Sequence, residues 1–269
     1  MTGASEYSLA SCLLLLASIK NFKHQTSNFK PQPSNLNLQK MSPLLHFDGS
    51  LVERHQSSLS LFCRSTVAMR YLTMQQMQHA AWRYRLGMAR DGGVIFWQIN
   101  ILNQVHDGKI MYYHLNCHRD HHHHPTWVST EMRRCGLPLD ALVGGHCLFG
   151  SHLLLEDKDS TKRKTVCVVE AEKTAFIMSE LFPNYHWLAS GGLAALTDQS
   201  FCGLYGRRIV LYPDTDETGM AYAKWRQVAR HAMFIKGTPE VSTFLEEHAT
   251  PEEKRQKIDL VDYYMARRL

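Results

Sequence analysis

The second half of the chain alternates short apolar runs with amphipathic stretches, which predicts strands alternating with helices. The apolar runs are VCVVE, HWLAS and RRIVLYPD, and VSTFLE is a candidate last strand. Helical spacing is found in AEKTAFIMSELF and ETGMAYAKWRQVARHA, a short helix is expected at GGLAAL, and TPEEKRQ begins with a threonine cap and a proline. Such alternation is typical of a parallel sheet covered by helices on both faces.

The preceding part of the chain has a different pattern. Helical spacing runs through LFCRSTVAMRYLTMQQMQHAAWRYRLG and predicts a helix that ends at Gly87. GGVIFWQINI and GKIMYYHL predict a hairpin with NQVHDG as its turn, and CLFGSHLLLED predicts a further strand. We place a domain boundary in the charged turn 158–164, so that a small α+β region at 59–160 precedes an α/β domain at 161–269.

Residues 1–58 are predicted to form a leader, disordered for the most part. Residues 20–58 are rich in Asn, Gln, Ser, Lys and Pro and have few apolar anchors. The apolar segment 9–19 is too short to span a bilayer, and no Lys or Arg precedes it, as one would in an export signal. We therefore expect no membrane contact and a cytoplasmic protein.

Composition narrows the function only slightly. The chain is 44% hydrophobic, which is enough apolar content for a core. Its net charge of +5 is compatible with a polyanionic partner. Its 7 cysteines show no CxxC spacing, which favours a reduced compartment.

Acidic residues follow two of the predicted strands. Glu170 ends the first apolar run, and Asp214 and Asp216 follow the third in YPDTDETG. Open α/β sheets bind ligands at the carboxyl ends of their strands, and Mg²⁺ prefers one or two carboxylates together with waters and phosphate oxygens. The sequence therefore predicts that these three carboxylates converge on a divalent cation. A solvated turn or a helix start is the alternative reading for each acid.

VVEAEKTA, SGGLAAL and LYPDTDETGMAYA together resemble the Toprim (topoisomerase–primase) domain, in particular its relatives in primases of plasmids and mobile elements. In that family the first strand ends in a Glu and a later strand in DxDxxG. Glu170 matches the acid, Asp214 and Asp216 match the metal-binding pair, and Gly219 matches the glycine. Ala171 replaces the glycine that usually follows the Glu, and the cysteine-rich zinc module that often precedes such domains is absent from this sequence.

The resemblance implies a Toprim-like parallel sheet and an enzyme dependent on Mg²⁺ or Mn²⁺. It would carry out primase-like nucleotidyl transfer or phosphodiester cleavage in DNA replication or in mobile elements. Glu170 would act as general acid or base, while Asp214 and Asp216 would hold the metal. Implied partners are single-stranded DNA or RNA and a helicase or other replication protein. Candidate phosphate contacts are Lys173, Gly191, Gly192 and Gly219.

Three alternatives stay open. A non-catalytic replication accessory protein that binds nucleic acid fits the same features. DTDET also satisfies the DxDxT pattern of haloacid-dehalogenase-like phosphatases, although only some fifty residues follow Asp216, too few for that core. The histidine cluster His121–His124 is read as a solvated loop, with a metal site as the less favoured reading.

Overall fold

The computed structural model describes residues 46–136, 146–232 and 238–268. Two four-stranded sheets form in these ranges, the first antiparallel and the second parallel. The α-helices are α1 (Gly49–His55), α2 (Leu61–Ala68), α3 (Met74–Arg83), α4 (Val128–Arg134), α5 (Glu172–Leu181), α6 (Met220–His231), α7 (Phe244–His248), α8 (Pro251–Gln256) and α9 (Leu260–Ala266).

The antiparallel sheet has the order β1-β2-β3-β4. Its strands are β1 (Gly87–Met88), β2 (Val94–Ile99), β3 (Val105–Met111) and β4 (Thr126–Trp127). The predicted hairpin is present as β2 and β3, although β3 starts within the stretch expected to be the turn. Every residue of β2 is buried, because this strand lies between two hydrophobic clusters.

The parallel sheet has the order β6-β5-β7-β8. Its strands are β5 (Val166–Val169), β6 (His186–Ala189), β7 (Ile209–Tyr212) and β8 (Glu240–Val241). With its flanking helices it confirms the expected mixed α/β fold. The strands β5 and β7 are neighbours in register, with Val169 opposite Tyr212. Their carboxyl ends therefore open at the same edge.

Alternate residues of β5 face opposite sides of the parallel sheet, as the pleat requires. Cys167 and Val169 join a cluster that contains Phe176 of α5. Val166 and Val168 join a second cluster that contains Trp225 of α6. Helices thus cover both faces.

The first cluster also includes residues from the chain before the predicted boundary. Tyr84 is fully buried, and its hydroxyl donates to the carbonyl oxygen of Trp187 at 2.7 Å. Its ring stacks on Phe149 with centroids 4.8 Å apart. The α+β region and the parallel sheet therefore share one core, and the division at residue 160 remains a prediction.

The predicted leader is wrong in its last part. Residues 1–45 lie outside the described ranges, but residues 46–58 contain α1, whose Leu51 and Val52 are buried against the antiparallel sheet. Asp48 caps this helix by accepting a hydrogen bond from the amide of Ser50 at 2.8 Å. Two apolar residues and a cap are enough to order a short helix when a sheet face is available.

Four predicted elements differ from the structure. In the candidate strand VSTFLE only Val241 lies in β8, and Phe244, Leu245 and Glu246 lie in α7. The first long helix is split into α2 and α3, because Arg70 has a φ of 57° and Thr73 starts a new helix with a capping box. Gly87 lies in β1 and is not a helix cap. The strand expected in CLFGSHLLLED is a 3₁₀ helix (Ser151–Glu156), with a single bridge from Phe149 to Ala189. The short helix expected at 191–196 is a turn, and a 3₁₀ helix follows at Asp198–Leu204.

Within the described ranges, every helix is too short or too polar to span a lipid bilayer.

Candidate functional site

Glu170 and Asp214 meet at the carboxyl edge of the parallel sheet. Glu170 directly follows β5, and Asp214 follows β7 on the neighbouring strand. The backbone amide of Asp214 donates to Oε1 of Glu170 at 3.1 Å. Glu170 is 8% exposed, so this hydrogen bond holds a buried carboxylate against the start of the β7–α6 loop.

For both carboxyl groups, nearby hydrogen bonds and positive charges offset only part of the cost of burying a negative charge. Burial raises the pKa of Glu170 to about 7, and the hydrogen bond from Asp214 and the charge of Lys224 offset this only in part. The pKa of Asp214 is raised well above its ordinary value, first by burial and then by the carboxylates of Asp259 and Glu170. Among the described residues, no side chain donates a hydrogen bond to Asp214. This edge of the sheet therefore concentrates negative charge that burial and mutual repulsion disfavour.

The two nearest lysines are engaged with other acids. Lys109 of β3 contacts both carboxylate oxygens of Glu172, at 3.0 and 3.1 Å. Lys173 lies 3.3 Å from Asp259 and 3.6 Å from Asp262. Burial opposes the charge of Lys173, but these two carboxylates outweigh it and raise its pKa. Lys173 is thus a half-buried member of an ion cluster, and its role as a phosphate contact stays a proposal.

Asp216 is bound in a different way from Asp214. Its Oδ1 accepts hydrogen bonds from the amide and hydroxyl of Thr218 and from the amide of Met220, while Oδ2 accepts one from the amide of Ala221 at 2.7 Å. Burial opposes its ionisation, but these hydrogen bonds outweigh burial and lower its pKa to about 2. The carboxylate caps the first turn of α6. One lone pair of Oδ2 is left for a further partner.

The three candidate glycines all have left-handed or related backbone angles. Gly191 and Gly192 follow β6 with φ of 90° and 144°, and Gly219 precedes α6 with φ of 67°. The Gly191 amide donates to the Glu170 carbonyl at 2.9 Å, and its own carbonyl accepts from Lys109. A Cβ at Gly191 would lie 3.2 Å from Oε1 of Glu172. A side chain is therefore disfavoured there by both φ and space.

Two open cavities, of about 420 and 340 Å³, adjoin the carboxyl edge. Glu170, Asp214 and Lys257 line both of them. We call the two together the edge cleft. The larger cavity is also lined by basic residues and histidines, namely Lys109, His118, Arg119, His121 and Lys173.

Within the part of the chain that the structure describes, no group of three or more His, Cys, Asp or Glu side chains is arranged to hold a metal by itself. In the histidine cluster, His123 bonds to Asp120 at 2.7 Å. The donor set of the edge cleft nevertheless suits Mg²⁺ or Mn²⁺. Asp214, which accepts no side-chain hydrogen bond from the described residues, and the remaining Oδ2 lone pair of Asp216 are hard oxygen donors. One or two carboxylates are sufficient for Mg²⁺ when water and phosphate complete its shell.

Lys109, Arg119 and Asp259 belong to the site but were not found from the sequence. Lys109 comes from the antiparallel sheet, Arg119 from the loop that follows β3, and Asp259 from the cap of α9. The Asp259–Asp262 capping box was a readable signal, since a DxxD pattern starts a helix. Nothing local marks the other two, because their importance comes from contacts between distant segments.

Comparison with solved structures gives a weak likeness. The chain aligns with the crystal structure of the primase fragment of the bacteriophage T7 primase-helicase protein at 18% identity and a TM-score of 0.40, over 67% of this chain and 70% of that one. Among curated proteins none matches. A family model described as "Domain of unknown function (DUF6371)" matches residues 62–215, more than half of the chain. The protein is therefore a member of the DUF6371 family.

Proposed function

We propose that this protein is a Toprim-type enzyme that acts on nucleic-acid phosphodiesters and depends on Mg²⁺ or Mn²⁺. The observation that carries the proposal is the meeting of Glu170 and Asp214 at the floor of the edge cleft, both without an ion-pair partner among the described residues. Such a charge imbalance is costly unless a cation relieves it. The motif resemblance of Glu170, Asp214, Asp216 and Gly219 supports the same conclusion.

Asp214 is assigned as the main protein ligand of the cation, with Asp216 contributing through its remaining Oδ2 lone pair, directly or through water. Asp216 keeps the β7–α6 loop in place because it caps α6. When bound, the divalent cation would neutralise charge on the phosphoryl oxygens. The chain itself positions Glu170 and Asp214, which follow the adjacent strands β5 and β7.

Glu170 is assigned as the group that moves a proton. A general acid or base works best when its pKa lies near the working pH, and burial raises the pKa of Glu170 to about 7. Its Oε1 is held by the Asp214 amide, which leaves Oε2 to exchange a proton with the attacking or leaving oxygen. Gly191 and Gly192 leave room for a backbone or phosphate to approach from the β6 side.

The test uses the full chain with a single-stranded DNA oligonucleotide, nucleoside triphosphates and Mg²⁺ or Mn²⁺. Lengthened products indicate nucleotidyl transfer, and shortened products indicate cleavage. Glu170→Gln should lower the rate roughly 10²- to 10⁴-fold while DNA binding is retained. Asp214→Asn should abolish the activity that depends on Mg²⁺ or Mn²⁺. Glu247→Gln, which changes an exposed acid elsewhere, is the matched control.

The competing function is a non-catalytic nucleic-acid-binding protein of replication. The same assay separates the two functions, because an accessory protein would bind the oligonucleotide and leave its length unchanged. Full activity in Glu170→Gln would also refute the role given to that residue. A link to a helicase or to mobile elements belongs to the proposal and needs partner capture to be tested.

A further inference from the structure

One wall of the edge cleft is a tight loop between β3 and β4. The amide of His114 donates to the carbonyl of His118, and the amide of Asp120 donates to the carbonyl of Tyr112, both at 2.9 Å. Cys117 makes the bend with a φ of 62°. These backbone bonds fix the base of the loop, so that the side chain of Arg119 is presented from a defined position.

Arg119 is the one cationic side chain of this wall whose buried nitrogen has no partner among the described residues. Its Nε is inaccessible to solvent and makes no hydrogen bond. The neighbouring Asp120 is engaged with His123 and with the amide of His122. A buried N–H group without an acceptor is costly, and most such groups in native proteins are satisfied by a ligand or water.

The contrast with Lys109 and Lys173 is informative, because all three cations line the same cavity. Lys109 and Lys173 are each held by buried carboxylates. Arg119 has no ion-pair partner in the described ranges. The two lysines therefore balance the charge of the protein, whereas no carboxylate among the described residues balances the charge of Arg119.

A second cation faces the cleft from the C-terminal part of the chain. Lys257 ends α8 in a left-handed conformation with a φ of 54°, and its side chain is exposed. It lines both cavities of the edge cleft, as do Glu170 and Asp214. Its ammonium makes no hydrogen bond or ion pair within the described residues.

We propose that Arg119 and Lys257 bind a phosphate group of the substrate in the cavity that they line together with Glu170 and Asp214. This inference rests on the proposed function and names residues that the Toprim motif does not contain. The planar guanidinium of Arg119 suits two phosphate oxygens at once, while Lys257 adds a point charge. The phosphate belongs either to a nucleoside triphosphate or to the backbone of a single strand.

The test measures binding of two probes in excess Mg²⁺: inorganic triphosphate and a short single-stranded DNA oligonucleotide. Arg119→Gln should weaken binding of one probe roughly tenfold or more, and the affected probe identifies the source of the phosphate. The affinity of Arg119→Lys should lie between those of wild type and Arg119→Gln, because lysine keeps the positive charge but lacks the planar guanidinium that binds two oxygens at once. Lys257→Gln should weaken the same probe. Arg134→Gln, an exposed arginine of α4, is the matched control.

The outcomes separate this inference from the proposed function. If Asp214→Asn loses Mg²⁺-dependent binding while Arg119→Gln binds both probes like Arg134→Gln, the phosphate contact is refuted and the metal site stands. If Arg119→Gln weakens binding and Asp214→Asn leaves the Mg²⁺ dependence intact, the contact stands and the proposed function fails. A wild type that binds neither probe refutes both.

A thermal melt of each variant excludes the remaining reading, in which Arg119 only supports the fold. Arg119→Gln should melt within about 2 °C of wild type without ligand, because the Arg119 side chain makes no hydrogen bond or ion pair within the described residues. A large drop in melting temperature would assign the residue to stability and overturn the inference.

Discussion

The two edges of the parallel sheet differ in how they surround buried and half-buried carboxylates. At the amino edge, Asp157 accepts a hydrogen bond from His186 at 2.9 Å and is bound by the guanidinium of Arg207. Burial opposes its ionisation, but Arg207 and His186 outweigh burial and lower its pKa. At the carboxyl edge the pKa values of Glu170 and Asp214 are raised, because burial and neighbouring acids act without a matched cation.

The comparison distinguishes a structural acid from a candidate ligand-binding acid. Asp157 has its cation built into the fold, as a buried charge requires when it serves stability. Among the residues that the structure describes, no cation forms an ion pair with Glu170 or Asp214, which is the arrangement expected where an external cation binds. Burial alone does not separate the two cases; the balance of charges around each group does.

The largest expected effect on stability comes from removing Arg207, the cation that binds Asp157 at the amino edge. Arg207→Gln leaves Asp157 buried without its main partner and should lower the free energy of unfolding by roughly 3–5 kcal/mol. Arg208→Gln is the neighbouring control, because Arg208 is 72% exposed and its contact with Glu240 is solvated. Urea denaturation of both variants measures the difference. Equal stability of the two would refute the structural role given to Asp157.

Replacing one aspartate at each edge by asparagine, Asp157 or Asp214, tests the difference between the two edges directly. Asp157→Asn loses attraction to Arg207 and should cost roughly 3 kcal/mol, by the same reasoning about a broken buried pair. Asp214→Asn without metal removes repulsion from Asp259 and Glu170 and should leave stability unchanged or slightly higher. Denaturation in the presence of a chelator compares them. If both variants are destabilised to the same extent, the two edges do not differ as described.

A smaller effect is expected from the titration of His152, a buried histidine of the 3₁₀ helix Ser151–Glu156. Burial lowers the pKa of His152 to about 4, and its Nε2 donates to the carbonyl of Arg83. The folded pKa lies below the ordinary value of 6.5, so the contribution to stability is present above about pH 6.5 and is lost as the pH falls toward 4. The loss is at most about 1.4 kcal/mol per pH unit.

His152→Gln should therefore flatten the decline of stability between about pH 6.5 and 4. His248→Gln, an exposed histidine of α7, should keep the wild-type slope. The quantity measured is the difference in free energy of unfolding between the two pH values in each variant. An unchanged slope in His152→Gln would show that His152 does not stay neutral in the fold.

The sequence predicted the parts of the fold that local pattern determines. The apolar runs of β5, β6 and β7 and the acids that follow them were readable, since strand ends in a parallel sheet share an edge. The break between α2 and α3 was not, because the left-handed Arg70 is hidden in a continuous helical pattern. The 3₁₀ helix at Ser151–Glu156 has the apolar content of a strand, and its packing on the sheet decides its conformation.

The sequence indicated which acids form the candidate site. It did not indicate which of their charges are balanced by hydrogen bonds or by cations. The motif indicated Glu170, Asp214 and Asp216 as a group, but hydrogen bonding separates Asp216 from the other two as the cap of α6. The partners of Lys109 and Lys173 come from segments more than sixty residues away. Such contacts depend on the tertiary fold, so a single sequence does not reveal which cation is left for a ligand.

The most direct test of the central claim is the thermal and urea stability of the full chain with and without Mg²⁺. At a hundred times its dissociation constant, Mg²⁺ should stabilise wild type by roughly 2.7 kcal/mol. Asp214→Asn should lose most of this gain, and Asp157→Asn should keep it despite its lower stability. An equal Mg²⁺ shift in wild type and Asp214→Asn would contradict the account, because the ion would then bind somewhere other than the carboxyl edge.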